Sequence, residues 1–125
     1  MAVARERRET MLMPDARERM ASSHAYVETL LTPEAPPVYG INTGFGVFAD
    51  RSVAAEDAAR LSRNLILSHA VAVGDPFPQD VVRAAMLIRA NTLALGHSGV
   101  RPELCDTLLA MLNSGVHPVV PQQGS

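Results

Sequence analysis

The sequence predicts a mainly α chain interrupted by one unusual loop, and three observations carry that expectation. Hydrophobic residues fill 47% of the 125 positions, yet there are only three Phe, two Tyr and no Trp. A core must then be built from Leu, Val, Ala and Met, which suit packed helices. Apolar positions recur at near-helical spacing, and clusters of Pro and Gly separate the recurring stretches. A globular chain of this length buries roughly two-thirds of the surface it exposes when unfolded, so a real core is attainable.

Residues 2–31 read as a helical region, with Met20, Val27, Leu30 and Leu31 recurring among charges and Pro14 breaking or starting a helix. The alternating signs of Arg5, Glu6, Arg7, Arg8, Glu9, Asp15, Arg17, Glu18 and Arg19 describe a solvated helix face. Thr32-Pro33-Glu34-Ala35-Pro36-Pro37 ends it. Residues 38–50 read as a loop holding three of the eight glycines, a density that implies special backbone angles or close backbone approach. Asp50 or Ser52 is expected to cap a helix that runs to about Val73. Gly74-Asp75-Pro76-Phe77-Pro78 reads as a turn, and 79–95 as a helix apolar almost all round, a pattern normally buried in a larger assembly. Pro102 opens a further helix bearing Leu104, Leu108, Leu109 and Leu112, which Gly115 ends. Residues 116–125 read as extended. The chain thus divides into a lead-in (1–37), a loop (38–50), helices (51–115) and an extended segment (116–125).

Several function classes are disfavoured. Net charge is −2, with no basic patch to suggest nucleic acid or an anionic membrane. No apolar run reaches the ~18 residues of a membrane span, and the N-terminus lacks the apolar stretch of a signal peptide. Cys105 is the only cysteine, so no intrachain disulfide can form, and cytoplasm is the expected compartment. Gly40, Gly44 and Gly46 match neither dinucleotide nor P-loop spacing, which argues against a nucleotide. His24, His69, His97 and His117 are not paired at ligand spacing and Cys105 has no C-x-x-C partner, so no metal is expected.

Two residues stand out. Tyr39, between Pro36-Pro37 and the glycines, either packs its ring or serves as a general base. A free phenol titrates near pH ~10, so the second role needs positive potential nearby. His69, in Leu65-Ile66-Leu67-Ser68-His69-Ala70, is either a core histidine or a hydrogen-bonding partner for a polar substrate ring.

The octapeptide Tyr39-Gly40-Ile41-Asn42-Thr43-Gly44-Phe45-Gly46 resembles the signature of the histidine/phenylalanine/tyrosine ammonia-lyase family. Three more stretches agree in order. They are 64–70, then 89–96 with 98–102, then 112–118 running to Pro121-Gln122-Gln123-Gly124-Ser125. The resemblance covers about 38–125; residues 1–37 look like a shortened, divergent version of the family's N-terminus. It implies the N-terminal region of the fumarase/aspartase-like helical ammonia-lyase fold, with a Gly-rich catalytic loop. It also implies a cytoplasmic homotetramer acting on a small-molecule amino-acid substrate. In the family an Ala-Ser-Gly tripeptide cyclises to a methylidene-imidazolone (MIO) electrophile. That tripeptide normally follows soon after the Gly-Ser matching Gly124-Ser125, so the expectation is an N-terminal fragment inactive alone. By resemblance, Tyr39 is the base that takes a β-proton from the substrate. Ser68 and His69 occupy the selectivity position and match the pair of histidine ammonia-lyases. Gly44 and Phe45 shape the loop at the substrate. Ala72 departs from the Gly of many relatives. The Ser-His pair also occurs in MIO-dependent tyrosine aminomutases, so an aminomutase stands as the alternative, and a non-catalytic interaction module as a third.

Overall fold

The structure, a computed structural model, describes residues 1–32, 34–49, 51–53 and 55–124. In chain order the elements are α1 (Ala2–Glu6), α2 (Pro14–Thr29), α3 (Ala55–His69), β1 (Ala72–Pro76), α4 (Gln79–Ala94), α5 (Pro102–Asn113) and β2 (Pro121–Gly124). They fall into two compact units. One comprises Met1–His24 with Ala72–Gly124, the other Ala25–Val71.

The first unit is built on the pairing of α4 with α5. Val82, Met86, Ala90 and Leu93 of α4 are buried with Cys105, Leu109 and Leu112 of α5 and with Met20 of α2. Each of the Val, Leu and Met side chains among them contributes on the order of 1.5–3 kcal/mol when fully buried. Gly96 follows α4 at φ +80°, and a Cβ there would stand 2.9 Å from Cβ of Arg19, so its lack of a side chain lets α2 come close. Pro102 occupies the first turn of α5, where its missing N–H costs nothing. The Cys105 thiol is buried, reaches the Ala90 carbonyl at 3.5 Å, and is pushed above its usual pKa chiefly by that burial.

The same unit buries one cation. Arg83 is 1% exposed. It donates Nε–H to Ala4 O at 3.0 Å, Nη2–H to Val3 O at 2.9 Å and Nη1–H to Leu112 O at 3.0 Å. The first two carbonyls belong to α1, a helix so short that its carbonyls have little intrahelical pairing. The third lies in the last turn of α5, where the helix dipole is negative. One planar fork thus ties α1 and α5 to α4 and finds its compensation in helix ends. On the surface, Arg5 holds Asp80 at 2.8 Å and lowers its pKa. Arg17 meets both carboxylate oxygens of Asp106 at 2.6 and 2.8 Å. Asn113 binds the backbone and hydroxyl of Thr10.

The architecture departs from the expected elements at two places. Residues 72–76 form a strand rather than the end of a helix and a turn. Ala72 pairs with Gly124, Val73 with Gln123 and Pro76 with Pro121, antiparallel and with an irregularity between Val73 and Pro76. Gly74, at φ +89°, and Pro76 are poor in a helix, and the partner strand lies too far along the chain for local spacing to reveal it. Ser52 caps no helix: it bridges to Thr43, and α3 starts at Ala55. Asp50, the other expected cap, lies outside the described residues. The outer face of α4, with Val81 and Ile88, is exposed.

Replacing Arg83 with Met should lower stability by about 2–4 kcal/mol, because three carbonyls lose charged donors. The expected readout is a lower urea midpoint at unchanged slope. Arg83→Lys should recover only part of the loss, since an ammonium cannot reproduce the fork. A midpoint equal to that of the parent in Arg83→Met would overturn this account.

Candidate active site

The second unit places the signature octapeptide in a loop whose turns are written by its own small and polar residues. Gly40 has φ +78° and Gly46 φ +58°, angles that L side chains rarely adopt. Gly44 serves a different need. A Cβ on it would lie 2.7 Å from Cβ of Phe48 and 2.8 Å from the Phe48 carbonyl oxygen. That close approach closes a short 3-10 turn, Gly46–Phe48, in which Phe48 N–H donates to Phe45 O at 3.1 Å and Ala49 N–H to Gly46 O at 3.1 Å. Gly44 N–H donates to Arg51 O at 3.0 Å and Val53 N–H to Asn42 O at 2.9 Å, so the loop returns on itself beside the Thr43–Ser52 bridge.

Side chains fill the remaining backbone needs. Asn42 Oδ1 accepts from Val38 N–H at 2.7 Å, while its Nδ2 donates to Leu30 O at 3.1 Å and to Pro36 O at 3.0 Å. Thr43 is buried, and its hydroxyl accepts from Gly40 N–H at 3.3 Å and donates to Gly44 O at 3.0 Å. Neither residue stood out in the sequence beyond its place in the octapeptide. Their signal was there, since Asn and Thr next to turn glycines commonly bond to nearby backbone.

Tyr39 is 63% exposed, so its hydroxyl is not locked in a core. Its ring meets Phe45 edge to face, with centroids 6.0 Å apart and planes at 76°. Phe45 in turn lines an open depression of about 680 Å³ with Gly44, Phe48, Leu65, Ser68 and His69. Such a volume lies in the range that holds small ligands. Four of the five expected site residues therefore share one concavity. Tyr39 is not in its lining and reaches it through the Phe45 ring. Arg51 adds positive charge to the rim, its guanidinium 5.0 Å over the Phe48 ring.

His69 ends α3 and is exposed rather than packed in a core. Its Nδ1 lies 2.9 Å from Leu65 O and 2.9 Å from Ser68 Oγ, and Ser68 Oγ itself donates to Leu65 O at 3.0 Å. A carbonyl oxygen only accepts, so Nδ1 carries the hydrogen. In the imidazole form with its hydrogen on Nδ1, Nε2 is left as an acceptor. The depression is walled mainly by apolar side chains, among them Phe45, Phe48, Leu61 and Leu65, and His69 adds a polar group that can receive an N–H or O–H from a ligand ring.

With this arrangement in view, comparison with known proteins is decisive. The profile of the aromatic amino acid lyases matches residues 1–125. The chain belongs to the aromatic amino acid lyase family. It is 57% identical over 111 residues to a histidine ammonia-lyase of Bacillus subtilis, covering 89% of this chain and 22% of that protein. It is 50% identical over 125 residues to a histidine ammonia-lyase of Symbiobacterium thermophilum, covering 100% of this chain and 24% of that one. Among solved structures, a tyrosine aminomutase from Streptomyces globisporus superposes with a TM-score of 0.90 at 35% identity, covering 99% of this chain and 23% of that chain. The chain thus spans about a quarter of the length of the curated family members it matches. The helical architecture expected of a family member is the one observed, with the small β1–β2 ladder added. Among the described residues no group of acidic, His and Cys side chains is placed to hold a metal. No helix among the described residues is long and apolar enough to cross a membrane.

Gly44→Ala should cost about 1–3 kcal/mol, because backbone rather than a flexible side chain must move. Gly46→Ala meets open space and should cost only the ~1–2 kcal/mol of its left-handed backbone. Thermal unfolding of the two variants checks the order, and a reversed order would contradict the geometry described.

Proposed function

We propose that these residues are the N-terminal part of a histidine ammonia-lyase, which converts L-histidine to urocanate and ammonia without oxidation. The observation that carries the reading is the Ser68-His69 pair with Nε2 left as an acceptor, in the same depression as Gly44 and Phe45, with Tyr39 adjoining through the Phe45 ring. The identities to histidine ammonia-lyases support it.

In this reading His69 Nε2 accepts the imidazole N–H of the substrate, and the Leu65 carbonyl, with Ser68 Oγ beside it, holds the tautomer that makes this possible. Gly44 and Phe45 form the wall of the substrate's ring site. Tyr39 Oη is the base that takes a proton from the substrate β-carbon. The electron pair of that C–H bond becomes the carbon–carbon double bond, and the amine departs as ammonia. The β-carbon is weakly acidic, so the amine must be activated as a leaving group. The MIO electrophile supplies that activation when present, and the Ala-Ser-Gly from which it forms does not occur in these 125 residues. Tyr39 fits such a partner, since its exposed hydroxyl is reachable by a group carried on another segment. The proposal extends to a cytoplasmic homotetramer. Exposed Ile66, Leu67, Val71 and Val73 supply apolar surface for assembly.

The second reading is an MIO-dependent aminomutase, favoured by the likeness to the Streptomyces globisporus enzyme. Product analysis separates the two, because a β-amino acid would identify a mutase.

In the full-length enzyme, Tyr39→Phe should lower kcat for urocanate formation by about 10²–10⁴-fold with the fold intact by circular dichroism. His69→Leu should lower kcat/KM for histidine by roughly 10–100-fold, the worth of one buried hydrogen bond, and raise it for phenylalanine. Histidine turnover at the parent rate in both variants would end the proposal.

A further inference from the structure

The hydrogen bonds around Tyr39 assign a role to two residues that do not themselves face the depression. We propose that Asn42 and Thr43 are positioning residues that fix the Tyr39 phenol by clamping the backbone on both of its sides. This rests on the reading of Tyr39 as the base.

The clamp has two arms. On the N-terminal side, Asn42 Oδ1 accepts from Val38 N–H at 2.7 Å, the residue just before Tyr39. The same amide holds Leu30 O and Pro36 O, which closes the whole approach from the end of α2 onto one side chain. On the C-terminal side, Thr43 Oγ1 accepts from Gly40 N–H, the residue just after Tyr39, and is anchored by Gly44 O. Turn bonds from Ile41 N–H and Asn42 N–H to Val38 O, at 3.0 and 3.3 Å, complete the enclosure. Tyr39 itself is exposed and touches Phe45 edge to face, so ring packing on its own leaves the phenol loosely held. The freedom a glycine gives at position 40 would let the Tyr39 backbone wander if the two side chains did not hold it. Misplacing a reacting group by an ångström can cost on the order of 10²-fold in rate. A residue acting this way should change kcat rather than substrate affinity.

The test uses the full-length enzyme with histidine as substrate. Asn42→Ala should lower kcat about 10²-fold with KM altered less than about threefold. Thr43→Val, which keeps shape and removes the hydroxyl, should lower kcat by roughly 10-fold, and Thr43→Ser should restore it. Thr43 carries the test if Asn42→Ala does not fold. Combining Thr43→Val with Tyr39→Phe should lower the residual rate no further, because the threonine acts through the phenol. An additive double variant, a loss confined to KM, or Thr43→Ser no better than Thr43→Val would each overturn the clamp. Failure of the underlying reading looks different: Tyr39→Phe alone would then keep its turnover.

Discussion

Unpaired backbone polar groups are the constraint on which this chain is organised, and Arg83 shows it most plainly. A buried guanidinium without compensation would cost several kcal/mol. Here its donors meet two carbonyls that α1 is too short to pair, and add a charged donor to Leu112 O, which also accepts from Gly115 N–H at 3.2 Å. Two liabilities cancel, and α1 acquires a fixed place that five residues of helix could not hold by propensity. Asn42 applies the same solution in the other unit. Its amide serves three backbone groups of an irregular segment where neither helix nor sheet supplies partners.

Much of the helical layout was legible in the sequence. Pro14 and Pro102 mark helix starts, whereas 79–95 reads as apolar almost all round, and only the structure separates the buried face of Val82, Met86, Ala90 and Leu93 from the exposed face of Val81 and Ile88. The β1–β2 ladder was not legible, because pairing of Val73 with Gln123 is a contact between distant residues, and Gly74-Asp75-Pro76 carries the composition of a turn. Arg83 was equally hidden: in the sequence it is one more charge on an otherwise apolar helix. The octapeptide was legible as a unit, yet the division of labour within it was not. Gly44 is required by an approach to Phe48, whereas Gly40 and Gly46 are required by backbone angle, causes that only the folded loop separates.

The histidine at the end of α3 illustrates how a chemical property emerges one level above composition. The choice between a core residue and a ligand partner could not be made from an apolar neighbourhood. Exposure shows that the ring is not packed in a core, and the bond to Leu65 O indicates which ring nitrogen is left as an acceptor. Family membership then gives that nitrogen a context, since relatives with this fold include enzymes for substrates whose rings bear N–H or O–H.

The two-stranded ladder has a consequence for the order of assembly. Its partners are separated by about two-fifths of the chain, so closing it early would incur an entropy cost with few contacts in return. The α4–α5 hairpin is local and carries the apolar area. Helix pairing must therefore come first and draw the strand ends together, leaving the ladder as a late latch that forms on a scaffold already in place.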